Sequence, residues 1–410
     1  MSTKAFHRTT CRLCGSKNLD LALAYKPTAL CDAYVPKPIP QEVYPLDVFL
    51  CRDCGFAQVC EIVQAEEIYV DYIYETVSSL GLVEHFQQYA DLVVSKLNPP
   101  KSSLVVDIGS NDGTLLKLFK ARGLRVLGVD PAREIARNAT AAGVETWAEF
   151  FTAAIALKIV KTHGPATIVT ANNIFANVDQ LGEMTDNIRS LLTLDGVFIF
   201  ETFYTADFLQ NMVFDFIYHE HISLFSVKPL INFFRLHGME LIDAERIPTK
   251  GGSLRYTAQL AGGPRKVTPA IAELVDHENK IGLQELATFK VFGAKIDAAK
   301  KELHTLLDDL RRQGKKVDGF GASATTTTFL YHLELGNELG CIYDDYKAKQ
   351  HLFTPGLHLP VLPPDEIYQR KPDYILIIAW RYYQPIMKKH KAFSDQGGKF
   401  IVPFPKLQVL

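Results

Sequence analysis

The sequence predicts an α/β protein in which a small N-terminal zinc-binding module precedes two sheets of doubly wound, Rossmann-like topology. Two Cys-x-x-Cys pairs lie near the start of the chain, and strand and helix patterns alternate from Ser103 and again from Lys316. Such alternation is typical of parallel sheets covered by helices on both faces. With 410 residues, the chain exceeds the size at which one core keeps growing, so several domains are expected.

Composition and charge narrow the classes of function. Hydrophobic residues make up 47% of the chain and charged residues 22%, which is typical of a globular protein. The net charge of −2 gives no field that would attract a nucleic acid, so no such partner is expected. The N-terminal residues lack the apolar core of a signal peptide, and no apolar run reaches bilayer length. We therefore expect a cytoplasmic enzyme without a membrane partner, either a monomer or a small homo-oligomer.

The two cysteine pairs predict a structural zinc site. Each pair places two thiolates on a tight turn, where both sulfurs can point at one ion. Gly15 and Gly55 follow the pairs directly, and such a turn favours glycine because its backbone adopts a positive φ. Four thiolates suit tetrahedral zinc and leave no open position for substrate. The predicted ligands are Cys11, Cys14, Cys51 and Cys54.

Zinc in a reducing compartment accounts for the cysteines better than disulfides do. Their total of seven is odd, and four of them fall into the two close pairs. An iron–sulfur cluster and redox-active thiols are the alternatives for the paired cysteines. Cys31, Cys60 and Cys341 are interpreted as small buried hydrophobic residues.

The remaining elements follow in chain order. A helical segment is predicted over residues 66–98, ending before Pro99 and Pro100. The first α/β series has predicted strands at 104–108, 125–130, 166–170 and 196–200 and a helix at 114–121. After a long helical stretch over 268–313, the second series has strands at 316–320, 340–343, 374–379 and 399–402 and a helix at 325–335. The predicted domains are the zinc module at 1–65, a cofactor-binding domain at 66–200 and a C-terminal α/β domain at 201–410.

A glycine-rich turn joins the first strand of this series to its helix. Gly109 and Gly113 let the backbone approach a ligand, and the helix N–H groups face it. Their spacing differs from the dinucleotide fingerprint G-x-G-x-x-G. Asp130, at the end of the next strand, lies where a carboxylate accepts hydrogen bonds from ribose hydroxyls. Another kind of nucleotide site and a plain tight turn are the alternatives.

The run Tyr218-His219-Glu220-His221 concentrates hydrogen-bonding and titratable side chains soon after the strand at 196–200. A positioned side chain that exchanges protons contributes typically about 10²–10⁴-fold to a reaction rate. General acid–base chemistry is therefore the favoured interpretation. Metal binding by the His-x-His pair and a histidine cluster without chemistry are the alternatives.

Over essentially its whole length, the chain resembles the sugar C-methyltransferases. The zinc module, the turn from Asp107 to Thr114, the Tyr-His-Glu-His run, the segment Gly251-Gly252-Ser253-Leu254-Arg255 and a C-terminal α/β domain occur in that family in this order. The turn itself resembles motif I of class I S-adenosylmethionine (SAM) methyltransferases. The resemblance implies methyl transfer from SAM to carbon C-3 of a nucleotide-linked 4-keto-6-deoxy sugar, as in D-tetronitrose biosynthesis.

The resemblance also implies roles for individual residues. His221 would remove the C-3 proton, with Tyr218 and Glu220 beside it, and Tyr72 would approach the reacting carbon or the cofactor. The positions implied in cofactor binding are Tyr74, Ser78, Asp107, Gly109, Ser110, Asn111, Gly113, Thr114, Leu115, Asp130, Pro131, Asn172 and Asn173. The positions implied in substrate binding are His219, Asn177, Lys250, Gly252, Ser253, Arg255, Gly321, Ala322, Lys347 and Lys349.

Two points qualify these roles. The family usually has a histidine where this chain has Asn177, and an amide cannot take a proton, so a positioning role is expected there. Lys250, Arg255, Lys347 and Lys349 are placed to meet the diphosphate of the substrate, and the alternative for each is an ordinary surface charge.

Other functions remain open on sequence alone. Gly319 and Gly321, with Asp344 after the next strand, meet the dinucleotide fingerprint loosely, which leaves an NAD-linked oxidoreductase as an alternative. A SAM enzyme acting on oxygen or nitrogen is another. A non-enzymatic zinc-ribbon module is disfavoured by the neutral charge. The choices between TDP and GDP, between a hydroxyl and an amine at C-3, between C-3 and C-5, and between product stereochemistries also stay open.

Overall fold

The N-terminal module is built from short antiparallel strands. The structure, a computed structural model, describes residues 4–69, 76 and 81–410. The elements of the module are β1 (Ala5–His7), β2 (Leu19–Leu23), β3 (Val48–Cys51), β4 (Ala57–Val59), β5 (Glu61–Val63) and α1 (Ala65–Tyr69). Strands β1 and β5 pair with each other, and β2, β3 and β4 form an antiparallel sheet.

The second part of the chain forms a seven-stranded sheet with helices around it. Its elements are α2 (Leu82–Leu97), β6 (Leu104–Ile108), α3 (Thr114–Ala121), β7 (Arg125–Val129), α4 (Arg133–Ala141), β8 (Thr146–Trp147), α5 (Ala153–His163), β9 (Ala166–Thr170), α6 (Leu181–Leu191), β10 (Leu192–Phe203), α7 (Thr205–Gln210), β11 (Ser223–Leu224), α8 (Val227–Leu236), β12 (Met239–Ile247) and β13 (Ser253–Leu260). Strand β11 leaves this unit and joins the module by pairing with β4.

The strand order of the large sheet is β12-β13-β10-β9-β6-β7-β8. Strands β6 to β10 of this sheet run parallel, and β13 is antiparallel to both of its neighbours. All five residues of β6 are buried, as expected for a central strand covered on both faces. Strands β7 and β8 follow β6 on one side of it, whereas β9 and β10 lie on its other side. The strand order therefore reverses between β6 and β9, and in such folds ligands bind at this switch point.

The C-terminal part forms a second doubly wound sheet. Its elements are α9 (Pro269–Lys280), α10 (Leu286–Arg312), β14 (Val317–Phe320), α11 (Thr325–His332), β15 (Ile342–Tyr343), β16 (Val361–Leu362), α12 (Glu366–Arg370), β17 (Tyr374–Ile377), α13 (Tyr383–Lys389), α14 (Lys391–Asp395), β18 (Lys399–Val402) and β19 (Gln408–Val409). The strand order is β16-β15-β14-β17-β18-β19, with only β19 antiparallel. Its switch point lies between β14 and β17.

Two differences from the sequence-based boundaries affect the organisation of the chain, and residues 70–75 and 77–80 of the predicted helical segment 66–98 lie outside the described residues. The boundary expected at residue 200 falls inside β10, and β12 and β13 complete the same sheet because they pair beside it. The Tyr-His-Glu-His run therefore lies within the first α/β unit. The helical stretch over 268–313 is two helices, α9 and α10, which separate at Gly282, where φ is +64°.

One apolar core joins the three parts. Buried side chains from the module, the large sheet and the second sheet, such as Leu50, Phe200 and Ile401, belong to the same cluster. Burial of apolar surface therefore stabilises the arrangement of the parts as well as each part. Among the described residues, no helix is both long and apolar enough to cross a membrane.

Candidate active site

The four paired cysteines converge on one point at the edge of the module. Their Sγ atoms lie within 4.8 Å of one another, and the Cys11–Cys54 and Cys14–Cys51 sulfurs are each 3.6 Å apart. A zinc–sulfur bond of about 2.3 Å in a tetrahedron places the sulfurs about 3.8 Å apart, so the donor set fits zinc.

The two cysteine turns have the same backbone construction. Gly15 N donates to Cys11 O and Gly55 N donates to Cys51 O, both at 2.9 Å. The φ angles of these glycines are +74° and +77°, as the sequence predicts.

A single cavity of about 810 Å³ lies where the two α/β sheets face each other. It is lined from one side by loops that follow β6 and β9 and from the other by loops that follow β14 and β17. The carboxyl ends of both sheets, at both switch points, therefore open into the same space. Ligand pockets usually span about 300–1,000 Å³, so this cavity is large enough for two ligands side by side.

The edge of the large sheet carries the cofactor residues expected from the sequence. Asp107 ends β6, and its carboxylate accepts from Thr170 Oγ1 at 2.6 Å. Burial raises the pKa of Asp107 to about 7. Asp130 accepts from Asn111 N at 2.8 Å and from Ala132 N at 2.9 Å, which holds the glycine-rich turn against the next strand.

Two features of this edge fit a bound nucleoside-type cofactor. A Cβ built on Gly109 would lie 2.2 Å from Ile174 Cγ1, so only glycine lets the backbone run this close to the cavity wall. Both amide atoms of Asn172 are buried, line the cavity side of β9 and have no partner among the described residues. Buried polar groups are rarely left without partners, so a ligand that bonds the amide of Asn172 would satisfy it.

The expected cofactor residues divide by position. Those that line the cavity are Asp107, Gly109, Ser110, Asn111, Leu115, Asp130, Pro131, Asn172 and Asn173. Gly113 and Thr114 lie behind them at the start of α3, where Gly113 packs against Val144. Tyr74 and Ser78, and the predicted catalytic Tyr72, lie outside the described residues.

His221 faces the cavity in a defined tautomer. Its Nδ1 lies 3.1 Å from Phe216 O, a carbonyl that only accepts, so Nδ1 carries the proton. Its Nε2 therefore has a lone pair and accepts from the Tyr218 hydroxyl at 3.0 Å. Burial, and then the charge of Lys250, lowers the pKa of His221 to about 3. The ring is thus neutral near pH 7.

The neighbours of His221 are held by the zinc module. Glu220 Oε1 accepts from the Cys31 thiol at 2.9 Å, and burial raises the pKa of Cys31 well above its usual value. His219 Nε2 donates to Pro45 O at 3.1 Å, and burial lowers the pKa of His219 to about 4. Cys31 is buried as the sequence indicates, but it also contacts a predicted catalytic residue.

The backbone of the cluster is fixed in the same way. Val59 N donates to Ile222 O at 2.9 Å, directly after His221, where β11 begins to pair with β4. The buried Arg12 guanidinium donates to Ile222 O at 2.9 Å and to Val59 O at 2.6 Å. The module therefore fixes the segment in which acid–base residues are predicted.

The edge of the second sheet has the same design as the first. Asp344 follows β15 and accepts from Ala322 N at 2.5 Å and from Tyr346 N at 2.7 Å, much as Asp130 holds its own glycine turn. The adjacent Arg381 binds Asp215 through two contacts of 2.7 and 3.0 Å.

Lys349 lines the cavity and connects the module to the second sheet. Its ammonium contacts Asp32 Oδ1 at 2.5 Å and Ala322 O at 2.8 Å. Lys349 thereby connects Asp32 of the module, the residue after Cys31, to the glycine turn of the second sheet.

The expected substrate residues divide in the same way. Those that line the cavity are His219, Asn177, Lys250, Ala322 and Lys349, whereas Gly252, Ser253, Gly321, Arg255 and Lys347 do not. Arg255 lies opposite Glu201 in the β10–β13 pair and donates to its carboxylate at 3.0 and 3.2 Å. The positive charge of Arg255 is therefore paired with Glu201 within the sheet. Lys347 is exposed.

Sequence reasoning missed some residues in and beside the cavity. Asp32 lines it, and Cys31 contacts Glu220 in its wall, but neither carries a local signal, because their partners are distant in the chain. Arg381 could have been found, since it follows β17 at the carboxyl edge of the second sheet, where ligand-binding residues are expected.

Comparison with known proteins gives the following matches. Family models match a zinc binding domain over residues 11–69, a methyltransferase domain over residues 73–244 and a C-methyltransferase C-terminal domain over residues 248–405. The C-methyltransferase NovU of Streptomyces niveus is 33% identical over 371 residues, which cover 90% of this chain and 88% of NovU.

Solved structures match only part of the chain. Magnesium protoporphyrin IX methyltransferase (ChlM) from Synechocystis PCC 6803 is 17% identical, with a TM-score of 0.34, over 46% of this chain and 89% of its own. The PH0226 protein from Pyrococcus horikoshii OT3 is 14% identical, with a TM-score of 0.37, over 48% of this chain and 97% of its own. Neither likeness bears on what the chain acts on.

Proposed function

Because the chain belongs to the family of SAM-dependent C-methyltransferases, we propose that it methylates C-3 of a nucleotide-linked 4-keto-6-deoxy sugar through an enolate. Its cofactors are SAM and the zinc of the four-cysteine module. The sugar, the position and the enolate are the parts that we propose.

One observation carries the proposal: the 810 Å³ cavity is lined by the edge of the large sheet, where the cofactor is expected, by the edge of the second sheet, and by Tyr218, Glu220 and His221. A nucleotide sugar has a nucleotide end that needs its own binding surface and a sugar end that must reach the methyl donor. Ala322, Ser323, Thr325 and Arg381 offer the nucleotide a turn, hydroxyls and a cation on the second sheet.

The proposed chemistry begins with loss of a proton. SAM supplies an electrophilic methyl group when bound. A 4-keto group acidifies the neighbouring C–H bond, and we assign the removal of that proton to His221 Nε2, which bears the lone pair. The electron pair of the C–H bond moves toward the keto oxygen to give an enolate. It then returns through carbon to form the new C–C bond, while the bond between the methyl group and the donor sulfur would break and leave its electrons on sulfur.

Tyr218 is placed to assist this step. Burial raises the pKa of Tyr218 well above its usual value, so the phenol keeps its proton and can donate a hydrogen bond. Its hydroxyl bonds His221 Nε2 at 3.0 Å, and rotation about the C–O bond would aim it at a developing oxyanion instead. Asn177 lines the same cavity and fits a positioning role, since an amide takes no proton.

The test of the function is a product analysis. The protein is incubated with SAM and a panel of TDP- and GDP-linked 4-keto-6-deoxy sugars, and the products are examined by mass spectrometry and NMR. A gain of one methyl on a ring carbon, with S-adenosylhomocysteine released, supports the proposal and identifies the nucleotide. A methyl on oxygen or nitrogen, or at C-5, contradicts it in substrate type or in position.

The base is tested by His221→Asn. Since the amide cannot accept the proton, turnover should fall roughly 10²–10⁴-fold, while the dissociation constant of SAM, measured by calorimetry, stays unchanged. His163→Asn, at the end of α5 and away from the cavity, is the matched control and should keep full turnover. Equal turnover in His221→Asn and the parent would remove His221 from the mechanism.

A further inference from the structure

Lys250 stands in an unusual backbone conformation at the cavity wall. Its φ and ψ are 55° and 25°, and Gly251 and Gly252 follow with φ of +87° and +123°. A lysine in the left-handed region is disfavoured because its Cβ crowds the carbonyl oxygen, whereas glycine adopts that region freely. Residues kept in such conformations are often held there for a function of the side chain.

The turn that carries Lys250 is fixed on both sides. Gly252 N donates to Thr249 O at 2.9 Å, and Asn211 Nδ2 donates to Gly251 O at 2.8 Å. Thr249 Oγ1 donates to Glu201 at 3.2 Å, and a Cβ on Gly252 would lie 2.3 Å from Asp207 Cβ. The backbone of this turn is therefore fixed, and it keeps Lys250 at the cavity wall.

Lys250 differs in charge pairing from the other cations of the cavity. Lys349 is paired with Asp32, and Arg381 is paired with Asp215. Among the described residues, no carboxylate lies within ion-pair distance of Lys250. The charge of Glu201, on β10, acts on Lys250, but this carboxylate is already paired with His85 at 2.7 Å and with Arg255 at 3.0 Å.

Lys250 lines the same cavity as Glu220 and His221. Its charge lowers the pKa of the His221 ring, and the charges of Glu201 and Glu220 act on Lys250 in turn. Burial lowers the pKa of Lys250 to about 8, so the group is cationic near pH 7 and loses its charge more easily than a surface lysine. The Lys250 ammonium could therefore stabilise a negative charge that develops on a substrate beside His221.

We propose that Lys250 is a catalytic residue whose ammonium binds the enolate oxygen that forms when the sugar is deprotonated, in place of the diphosphate contact expected from the sequence. This inference rests on the proposed function. Lys250 supplies a fixed positive charge and N–H donors to the oxygen, and the donor stays protonated throughout. No proton or electron changes hands at the lysine.

The test separates stability from catalysis by Lys250→Gly. Glycine favours a positive φ, so the variant should melt at the same temperature as the parent or higher. Lys371→Gly is the matched control, because Lys371 also has a positive φ of 48° but is exposed and outside the cavity. Lys250→Met, which keeps the side-chain volume, repeats the functional test without changing the backbone preference.

The functional measurement is exchange of the sugar C–H for deuterium in D₂O, at saturating substrate and with S-adenosylhomocysteine in place of SAM. Loss of one oxyanion donor typically costs about 10²–10³-fold, and this loss is expected in both Lys250 variants and not in Lys371→Gly. The dissociation constants of free TDP or GDP and of SAM should stay unchanged.

Three outcomes would overturn the inference. Full exchange in both Lys250 variants with weaker binding of free TDP or GDP would place the lysine at the diphosphate. Full exchange with unchanged binding would leave it without a part in the reaction. A parent chain that exchanges no hydrogen with any member of the sugar panel would overturn the proposed function, and this inference with it.

Discussion

The thiol of Cys31 makes a contact that could not be predicted from its residue type or its sequence neighbours. It is buried, as its sequence interpretation as a small hydrophobic residue requires, yet its Sγ lies 2.9 Å from Glu220 Oε1. Because burial raises the pKa of Cys31, the thiol stays protonated and donates to the carboxylate. A buried carboxylate depends on each donor it has, so Cys31 acts as a positioning residue for Glu220.

We expect Cys31→Ala to lower turnover about tenfold or more, because a hydrogen bond to a charged group contributes about 1.5–3 kcal/mol. Cys31→Ser keeps a donor and should keep most of the turnover. The pH profile of kcat should also shift in the alanine variant, since the Glu220 carboxylate then loses a hydrogen-bond donor.

The matched control is Cys60→Ala, which removes another buried thiol of the module that contacts Gln58 and not the site. Equal losses in Cys31→Ala and Cys31→Ser, without a change in the pH profile, would argue that the residue contributes packing alone.

Among the elements, short strands connect the four-cysteine cluster to the proposed acid–base cluster. Strand β11 has two residues, Ser223 and Leu224, and it pairs with β4 of the module directly after the acid–base cluster. Strand β3, which ends at the ligand Cys51, pairs with β4 in turn. The zinc turns are thus two strands away from His221, and a closed four-thiolate site supports the geometry of the cluster without touching substrate.

Removal of one zinc ligand should therefore loosen the active site. We expect Cys11→Ser to bind less zinc, by metal analysis, and to show faster hydrogen exchange at the Val59 amide, which donates to Ile222 O. Turnover should fall in parallel, because the β4–β11 pair opens. Cys60→Ser, a cysteine of the same module outside the metal cluster, should leave all three measurements unchanged. A zinc-free Cys11→Ser protein with full turnover would contradict the structural role.

At the scale of the whole molecule, buried histidines lie where the three parts meet. His219 bonds Pro45 of the module, and the ring of His332 on α11 stacks on Tyr25 of the module at 4.5 Å. Burial lowers the pKa of His219 to about 4, of His221 to about 3 and of His332 to about 4. These rings are neutral in the folded chain and would be charged in the unfolded chain under mild acid.

Stability should therefore fall as the pH drops below the unfolded histidine pKa of about 6.5. Between about 6.5 and 4 the unfolded chain binds protons that the folded chain does not, and each such histidine contributes a slope of up to about 1.4 kcal/mol per pH unit. Above pH 7 the contribution is constant. Urea unfolding at pH 7.5, 6.0 and 5.0, with zinc present, measures the free energy of unfolding.

His332→Gln isolates the histidine term, since His332 lies outside the cavity. The variant should lose less stability between pH 7.5 and 5.0 than the parent does. An identical pH dependence in both proteins would show that other groups control the acid response.

Local pattern determined much of this molecule. The strands over 104–108, 166–170 and 399–402 and the helix over 114–121 were expected at the bounds observed, because runs of buried apolar residues with flanking glycines leave few alternatives. The hairpin of β12 and β13 was missed, since charged residues interrupt the apolar pattern of β12. The alternation of Leu254, Tyr256 and Ala258 in β13 was a signal that could have revealed it.

By itself the sequence determined the fold class, the four-cysteine cluster and the loops in which cofactor residues are predicted, since each depends on neighbours within a few positions of the chain. Only the tertiary structure decided that the edges of two sheets share one cavity. It also decided that Cys31 meets Glu220 and that Lys349 meets Asp32 across 317 positions. Such contacts depend on how separate apolar faces pack into one core, and no short stretch of sequence records that packing.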